Sequence, residues 1–402
     1  MCIRDRNYFY PDLPKGYQIS QYEKPFATGG YISFIDGGIE HRVRIERINL
    51  EEDAGKSIHR PSQGDTGVDF NRCGVPLLEI VSAPEIRSPR QAYLYLLRLK
   101  QILEYTGVCS GNMELGNLRC DANVSVRKAG QAELGTKTEI KNLNSFRSVE
   151  KGLEFEIERQ TRILEQGGKV RHETLLWDVK RQTSVPMRSK EEVHDYRYFP
   201  EPDLVPLRIT RDCVESLGRE IPELPSQKEK RYIEEFGLPE YDASLLVTSR
   251  ALAHYFESTA EKLGDPKAAS NWIMTEVLKV LNERSIAIED FAVSPDDLVG
   301  LLKLVKSGKI SGRIAKEVFA EMVESGEKAE EIVKRRNLGQ ISDPHQLRNI
   351  VKRVIAENPG PVEQYRKGKT KTFGYLVGQV MKATEGRANP RMVSEILKEE
   401  LS

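Results

Sequence analysis

The chain lacks most of the features that give a protein away at sight. Its five cysteines (Cys2, Cys73, Cys109, Cys120, Cys213) form no CxxC pair, so neither a zinc site nor a disulfide framework can be read from them. They are expected to be reduced. No Gly-rich Walker loop, no GxGxxG and no GxSxG occurs, which leaves a P-loop fold and a serine hydrolase without support. Six histidines (His41, His59, His172, His194, His254, His345) stand without metal-ligand spacing and read as structural. No apolar run approaches the roughly 20 residues that a membrane span needs. The opening "MCIRDRNYFYPDLPKGYQ" lacks the apolar core of a signal peptide. No membrane partner is expected, and the expected location is cytoplasmic. Net charge is also missing, because 61 Lys and Arg balance 61 Asp and Glu. No internal repeat and no low-complexity segment stands out.

What is present is a long, soluble composition. With 402 residues, 39% apolar and 30% charged, the chain is expected to form two or three domains with sizeable cores. Charge balance holds only on average. From Lys334 to Ser402 there are 14 Lys/Arg against 7 Asp/Glu, a surplus of seven that marks this end as a candidate polyanion binder.

The first half reads as mixed α and β. "YISFID", "HRVRIERINL", "VPLLEIVS", "LRCDANVSVR" and "TKTEIKNL" carry strand patterns. One helix is expected from Ser88, an N-cap followed by Pro89, to about Gly107, and another from about Phe146 to Gly167. Strands in hairpins between long helices predict an α+β layer rather than a βαβ repeat. After about residue 218 the pattern turns to short helices, including the amphipathic "ISGRIAKEVFAEMVESG". A further boundary falls near residue 331. The expected domains are therefore 1–218, 219–331 and 332–402.

Several stretches bear chemistry. In "LRCDANVSVR" the polar face carries Arg119, Asp121, Asn123, Ser125 and Arg127, and across a turn Lys137, Glu139 and Lys141 share a face. A charge-matched solvated sheet and a ligand-holding one both fit this alternation. Glu79 sits in the otherwise apolar "GVPLLEIVS", which predicts a strand buried on both sides and a carboxylate in need of a partner. Glu51, Glu52 and Asp53 crowd a strand end in "RINLEEDAGK" and repel one another unless solvated or sharing a metal. With Asp121 and Glu114 they give one domain several carboxylates of the type Mg²⁺ prefers. ATP chemistry here would require an antiparallel sheet with carboxylate-held Mg²⁺, and Arg119, Lys56, Lys137 and Lys141 would supply cations for phosphates. "HDYRYFPEPDLVPL" alternates aromatics with Arg, which fits base stacking and also a packed edge strand. In the tail, Arg366, Lys367, Lys369 and Lys371 precede the helix of Phe373, Leu376, Val377, Val380 and Met381, and could grip phosphates.

From about Asn7 to the C-terminus the chain resembles the B-subunit family of the aspartyl/glutamyl-tRNA amidotransferases. The motifs are "NYFYPDLPKGYQISQY", "EEDAGK", "DFNRCGVPLLEIVS", "GNMELGNLRCDANVSVR", "TEIKNLNSF", "MRSKEEVHDYRYFPEPDL", "NWIMTEVL", "ISGRIAKEVF" and "LVGQVMKAT". The resemblance implies a three-subunit enzyme that corrects Glu-tRNA(Gln) to Gln-tRNA(Gln) and Asp-tRNA(Asn) to Asn-tRNA(Asn). An amidase subunit would free ammonia from glutamine, and a small third subunit would tether that amidase to the B subunit. The B subunit itself would use ATP and Mg²⁺ to phosphorylate the side-chain carboxylate of the attached amino acid. The implied fold is an antiparallel, glutamine synthetase-like cradle, then an all-α helical domain and a small tail that engages tRNA.

Carried over by motif, the metal-binding acids fall on Glu51, Glu79 and Asp121, with Arg119, Asn123, Glu139 and Lys141 lining the same site. The family places a further cradle strand upstream of "NYFYPDLP", whose Glu and His complete the metal site, and many members carry zinc-binding cysteines there. The resemblance therefore implies an N-terminal truncation, and relatives often carry His where this chain has Asn49. Two other readings stand beside the multi-subunit enzyme: a tRNA-binding module without chemistry, and a free-standing glutamine synthetase-like ligase, which would need no basic tail.

Overall fold

The computed structural model describes residues 1–60, 65–187, 196–339, 343–384 and 386–401, and His194 lies outside them. The chain forms two compact units, Met1–Leu224 and Pro225–Ser402.

In the first unit the strands are β1 (Arg6–Phe9), β2 (Tyr17–Ser20), β3 (Tyr31–Asp36), β4 (Ile39–Glu52), β5 (Lys56–Arg60), β6 (Asp65–Asp69) and β7 (Pro76–Ser82). Helix α1 (Pro89–Tyr105), β8 (Ala122–Val124), β9 (Thr138–Lys141), α2 (Phe146–Glu165), β10 (Thr174–Asp178), β11 (Thr183–Pro186), β12 (Tyr196–Tyr198) and α3 (Arg211–Glu220) follow. Among the described residues they make small sheets in the orders β12-β1-β2, β3-β4-β7, β11-β10-β9-β8 and β5-β6. Both long helices begin where side-chain chemistry allows. Ser88 Oγ accepts from Gln91 N at 3.1 Å and Ser145 Oγ from Ser148 N at 3.0 Å, satisfying amides that helix starts leave open. Ile32 and Phe34 of β3, Val43 and Ile45 of β4, Leu96 and Leu99 of α1, Ile140 of β9, Leu153 of α2 and Trp177 of β10 meet in one core.

Three expectations change. Strands β9 and β10 run parallel, with α2 as the crossover between them, so this sheet is mixed and contains a βαβ unit. A 20-residue helix returns the chain to the end from which β9 started, which a hairpin cannot do. Strand β7 is half-buried rather than buried on both sides, because it is the edge of its sheet. Strand β8 covers only Ala122–Val124 of the alternating stretch. The reason lies in α2: Gln160 Oε1 accepts from Val126 N at 3.0 Å and Nε2 donates to the Val124 carbonyl at 3.1 Å, so a side chain takes the groups a longer ladder would pair.

Gln160 belongs to a buried network. Its Nε2 also lies 2.9 Å from Thr138 Oγ1 and from Glu156 Oε1, and fully buried Glu156 receives both Arg159 Nε and Nη2 at 2.8 Å. Each buried polar group has partners, as a low-dielectric interior demands. The network fastens the back of the β8–β9 hairpin to α2.

The second unit is helical, and its buried side chains fall into two clusters, one from Tyr232 to Ile332 and one from Leu347 to Leu401. "ISGRIAKEVFAEMVESG" forms the helix Gly312–Ser325 with Ile314, Val318 and Met322 buried. The stretch "NWIMTEVL" contains a π-helical turn, Ile273–Val277. No described helix is long and apolar enough to cross a membrane.

Gln160→Leu leaves the Val126 amide, the Val124 carbonyl and Glu156 short of a partner. It should lower the stability of the first unit by about 3 kcal/mol. Urea titration in a Trp272→Phe background, where Trp177 is the remaining fluorophore, reads this directly.

Candidate active site

The site grows from strand register. Tyr8 stands opposite Gln18 and Arg6 opposite Ser20 in the β1–β2 pair, so all four share one face. That face meets the end of β4. Gln18 Nε2 donates to Glu51 Oε2 at 3.3 Å and to the Glu52 carbonyl at 2.9 Å, Ser20 Oγ donates to Glu51 Oε1, and Tyr8 Oη donates to Gln18 Oε1 at 2.8 Å. On β4 and β7, Asn49 lies opposite Glu79 and Glu51 opposite Leu77, which makes Glu51 and Glu79 diagonal neighbours on one face. Asn49 Nδ2 donates to Glu79 Oε2 at 2.8 Å, and fully buried Asn49 keeps its Oδ1 without a partner among the described residues. Burial pushes the Glu51 carboxyl above the usual range. The Ser20 hydrogen bond and Arg6 oppose that shift, and the charge of Glu79 adds to it.

A second grouping sits on the β8–β9 hairpin. Lys141 Nζ lies 2.8 Å from Asp121 Oδ2 and 3.3 Å from Glu139 Oε1, and Thr174 Oγ1 donates to Glu139 Oε2 at 3.0 Å. Burial would lower the Lys141 pKa, but the two carboxylates more than offset it and hold the ammonium charged. Exposed Asn123 stands opposite Glu139.

The third grouping is centred on Asp53, 2% exposed, which receives Arg72 Nε at 3.0 Å and Arg119 Nη2 at 3.1 Å. Arg72 also donates to the carbonyls of Leu115 at 2.8 Å and Gly116 at 3.1 Å. The neighbouring Gly55 is required by a close approach, since a Cβ there would lie 2.6 Å from the Asp12 carbonyl oxygen. Tyr10 links the groupings. Its phenol is raised chiefly by burial, and Asp12, Arg119, Lys141 and Asp53 all act on it electrostatically.

The acidic triplet thus dissolves into three separate roles. Glu51 faces Glu79, Glu52 pairs with Lys15, and Asp53 is a buried double-arginine anchor rather than a solvated turn. Glu51, Glu79 and Asp121 do not converge, and no group of three metal-ligating side chains occurs among the described residues. Asp121 is engaged by Lys141 instead. Of the three expected metal ligands, Glu51 and Glu79 are the two on one face, and their carboxylates are the hard oxygen donors that a divalent cation takes. Lys56, opposite Asp69, and Lys137 are exposed, and no described contact joins them to the carboxylates. In the second unit, Arg366 ends the helix Pro359–Arg366, Lys367 and Lys369 lie in the turn, and Lys371 opens the helix Lys371–Ala383. All four are exposed, with Lys367 Nζ 2.6 Å from Glu363 Oε1.

Arg6, Tyr8, Tyr10, Gln18, Ser20 and Arg72 were not legible as site residues. The available signal was alternation: Arg6 and Tyr8, and Gln18 and Ser20, place polar groups two apart on short strands around "NYFYPDLPKGYQIS".

Comparison with known proteins bears on these residues. The family described as GatB/GatE catalytic domain matches residues 2–215, and the GatB domain family matches residues 254–401. A relative from Thermodesulfovibrio yellowstonii, the B subunit of an aspartyl/glutamyl-tRNA(Asn/Gln) amidotransferase, is 54% identical over 392 residues, covering 98% of this chain and 82% of its own length. Proteins of the same description from Thermoanaerobacter sp. and Chlorobium phaeobacteroides are each 53% identical, over 99% and 98% of this chain and 83% of their own length.

Glu51→Gln keeps an acceptor for Ser20 and removes a desolvated charge repelled by Glu79. The variant should melt higher than the parent in the absence of metal, whereas added Mg²⁺ should raise the parent's melting temperature and leave the variant's unchanged. Calorimetry with and without Mg²⁺ checks both halves.

Proposed function

The chain belongs to the GatB/GatE family, as the B subunit of a tRNA-dependent amidotransferase, and on that premise we propose that its first unit activates a mischarged aminoacyl-tRNA with ATP. A carboxylate is a poor acyl donor to ammonia. Transfer of the γ-phosphoryl of ATP to a side-chain carboxylate oxygen breaks the bond to ADP and leaves an acyl phosphate. Ammonia released by the partner amidase, which the small third subunit holds to this chain, attacks the carbonyl carbon. Phosphate departs, the surplus proton is lost, and Glu-tRNA(Gln) becomes Gln-tRNA(Gln), or Asp-tRNA(Asn) becomes Asn-tRNA(Asn).

The observation that carries this reading is the Glu51–Glu79 pair, two carboxylates kept as diagonal neighbours on adjacent strands although burial and the neighbouring glutamate disfavour the charge of Glu51. They are the residues that would hold Mg²⁺, which when bound offsets charge on the transferring phosphoryl group. Lys141, kept cationic by Asp121 and Glu139, and Arg119, with a 59% exposed side chain, offer donors to anionic oxygens. Asn123 adds an uncharged donor, and Lys56 and Lys137 act from the exposed rim. Residues 1–218 form the catalytic cradle, 219–331 the helical domain and 332–402 the tail, whose turn of Arg366, Lys367, Lys369 and Lys371 grips tRNA phosphates. The assembly works in the cytoplasm.

Reconstituted with the amidase and the small third subunit, the Glu79→Gln chain should lose ADP release from Glu-tRNA(Gln) by about 100-fold, a size typical of losing one charge-stabilising group. Glutamine hydrolysis by the amidase supplies the control; undiminished ADP release would remove Glu79 from the metal site, and no ADP release from the parent complex would sink the kinase reading. Reversing Lys369 and Lys371 to Glu should raise the KM for tRNA about tenfold and flatten its salt dependence while leaving the KM for ATP alone. Steady-state kinetics at several salt concentrations measure this.

A further inference from the structure

Sheet β12-β1-β2 places a row of aromatic rings beside the glutamate pair, and the chemistry proposed above uses none of them. Tyr8 lies opposite Tyr196, and Arg6 opposite Tyr198 on one side and Ser20 on the other. Directly opposed residues share a face, so Tyr196 and Tyr198 stand on the face from which Gln18 and Ser20 reach Glu51. The rings are contiguous. Centroid separations are 5.9 Å for Tyr8–Tyr10, 5.3 Å for Tyr8–Tyr196, 6.4 Å for Tyr196–Tyr198 and 5.0 Å for Tyr22–Tyr198. The Arg6 guanidinium sits 4.3 Å over the Tyr196 ring. Accessibility grows along the row: Arg6, Tyr8, Tyr10 and Tyr196 are half-buried, whereas Tyr198 is 58% and Tyr22 60% exposed.

A packed edge strand would bury its outermost rings, but Tyr198 remains open on β12, the short strand that ends its sheet, and Tyr22 remains open in the bend just past β2. Flat, rigid side chains braced by one another and by a stacked guanidinium are the surface on which a nucleobase stacks, without needing any particular hydrogen-bond pattern. We propose that Tyr198 and Tyr22, backed by Tyr196 and Arg6, form a stacking platform for an adenine base at the edge of the Glu51–Glu79 site. This rests on the function proposed above, and both of its substrates carry that base. In the aminoacyl-tRNA the 3′-terminal adenosine bears the amino acid whose carboxylate is phosphorylated. In ATP the ribose and the α- and β-phosphates separate the base from the transferred γ-phosphoryl group.

The test uses the reconstituted three-subunit complex with two fluorescent probes. One is 2-aminopurine riboside triphosphate, and the other is an uncharged acceptor-stem RNA with 2-aminopurine at its 3′ end. Stacking quenches 2-aminopurine, so the parent complex should quench at least one probe. Tyr198→Ala and Tyr22→Ala should each lose most of that quenching and raise the KM of the corresponding substrate about tenfold, and Tyr198→Phe, which keeps the ring, should restore both. A loss confined to the triphosphate assigns the platform to ATP, and a loss confined to the RNA assigns it to the terminal adenosine. Absence of quenching in the parent, or full quenching in both alanine variants, overturns the platform. Quenching without ADP release would keep the platform and reject the phosphorylation, while ADP release without quenching would do the reverse.

Discussion

The candidate site depends on one buried carboxylate. Asp53 follows the end of β4, and its side chain takes both Arg72 and Arg119 while its backbone bonds to Val75 and Gly74 at 2.8 and 3.0 Å. Three segments therefore converge on it: the strand end with Glu51, the turn into β7 with Glu79, and, through Arg72, the loop of Leu115 and Gly116 that leads to Asp121. The carboxylate, 2% exposed, cannot be left alone in so dry a place, although Arg72 and Arg119 reach it from side chains that are 41% and 59% exposed, because a buried charge stripped of its partners costs several kcal/mol. That penalty ties the separation of Glu51, Glu79 and Asp121 to one interaction rather than to three flexible loops.

A second constraint acts from behind. The front of the β8–β9 hairpin carries Asp121, Asn123, Glu139 and Lys141, all wholly or partly open to solvent. Its back is held by Thr138, Glu156 and Gln160, all but fully buried and mutually bonded. Hairpins of three or four residues have little pairing of their own to fix a pitch. Here the helix α2 supplies it, and the same helix is the crossover that makes β9 and β10 parallel. One element thus explains both the mixed sheet and the rigidity of the polar face.

Much of this was legible in the chain, and the gaps have physical causes. Periodicity and caps found α1 and α2 to within two residues, because Ser88 with Pro89 and the apolar stripes are local signals. Strands β3 and β7 were readable for the same reason. Alternation also put Asp121 and Lys141 on the polar faces of the two hairpin stretches, and the structure pairs them. Parallel pairing was not readable, since it depends on where a distant strand re-enters the sheet. Neither was Asp53, whose two arginines come from 19 and 66 residues away, a separation at which a charged triplet and a solvated turn look alike in one dimension. The edge position of β7 was hidden similarly: an apolar run tells that a strand packs, but not how many neighbours it has.

The arrangement of charge gives these constraints a direction. Asp53 with Arg72 and Arg119 carries one surplus positive charge, Glu51 and Glu79 with Arg6 one surplus negative, and Lys141 with Asp121 and Glu139 another. Tyr10 stands where the positive grouping and Lys141 are both felt. A site evolved only for stability would pair these excesses with one another and neutralise them. Instead the Asp53 anchor and the α2 network keep them apart, so that cation-seeking and anion-seeking patches coexist along one wall. Such separation is retained at a cost to folding, since Glu51 is ionised only against burial and repulsion. It becomes favourable when a ligand brings both signs at once; on the proposed function a metal–polyphosphate complex would do so, its cation suited to the glutamates and its phosphates to the Arg72–Arg119 grouping.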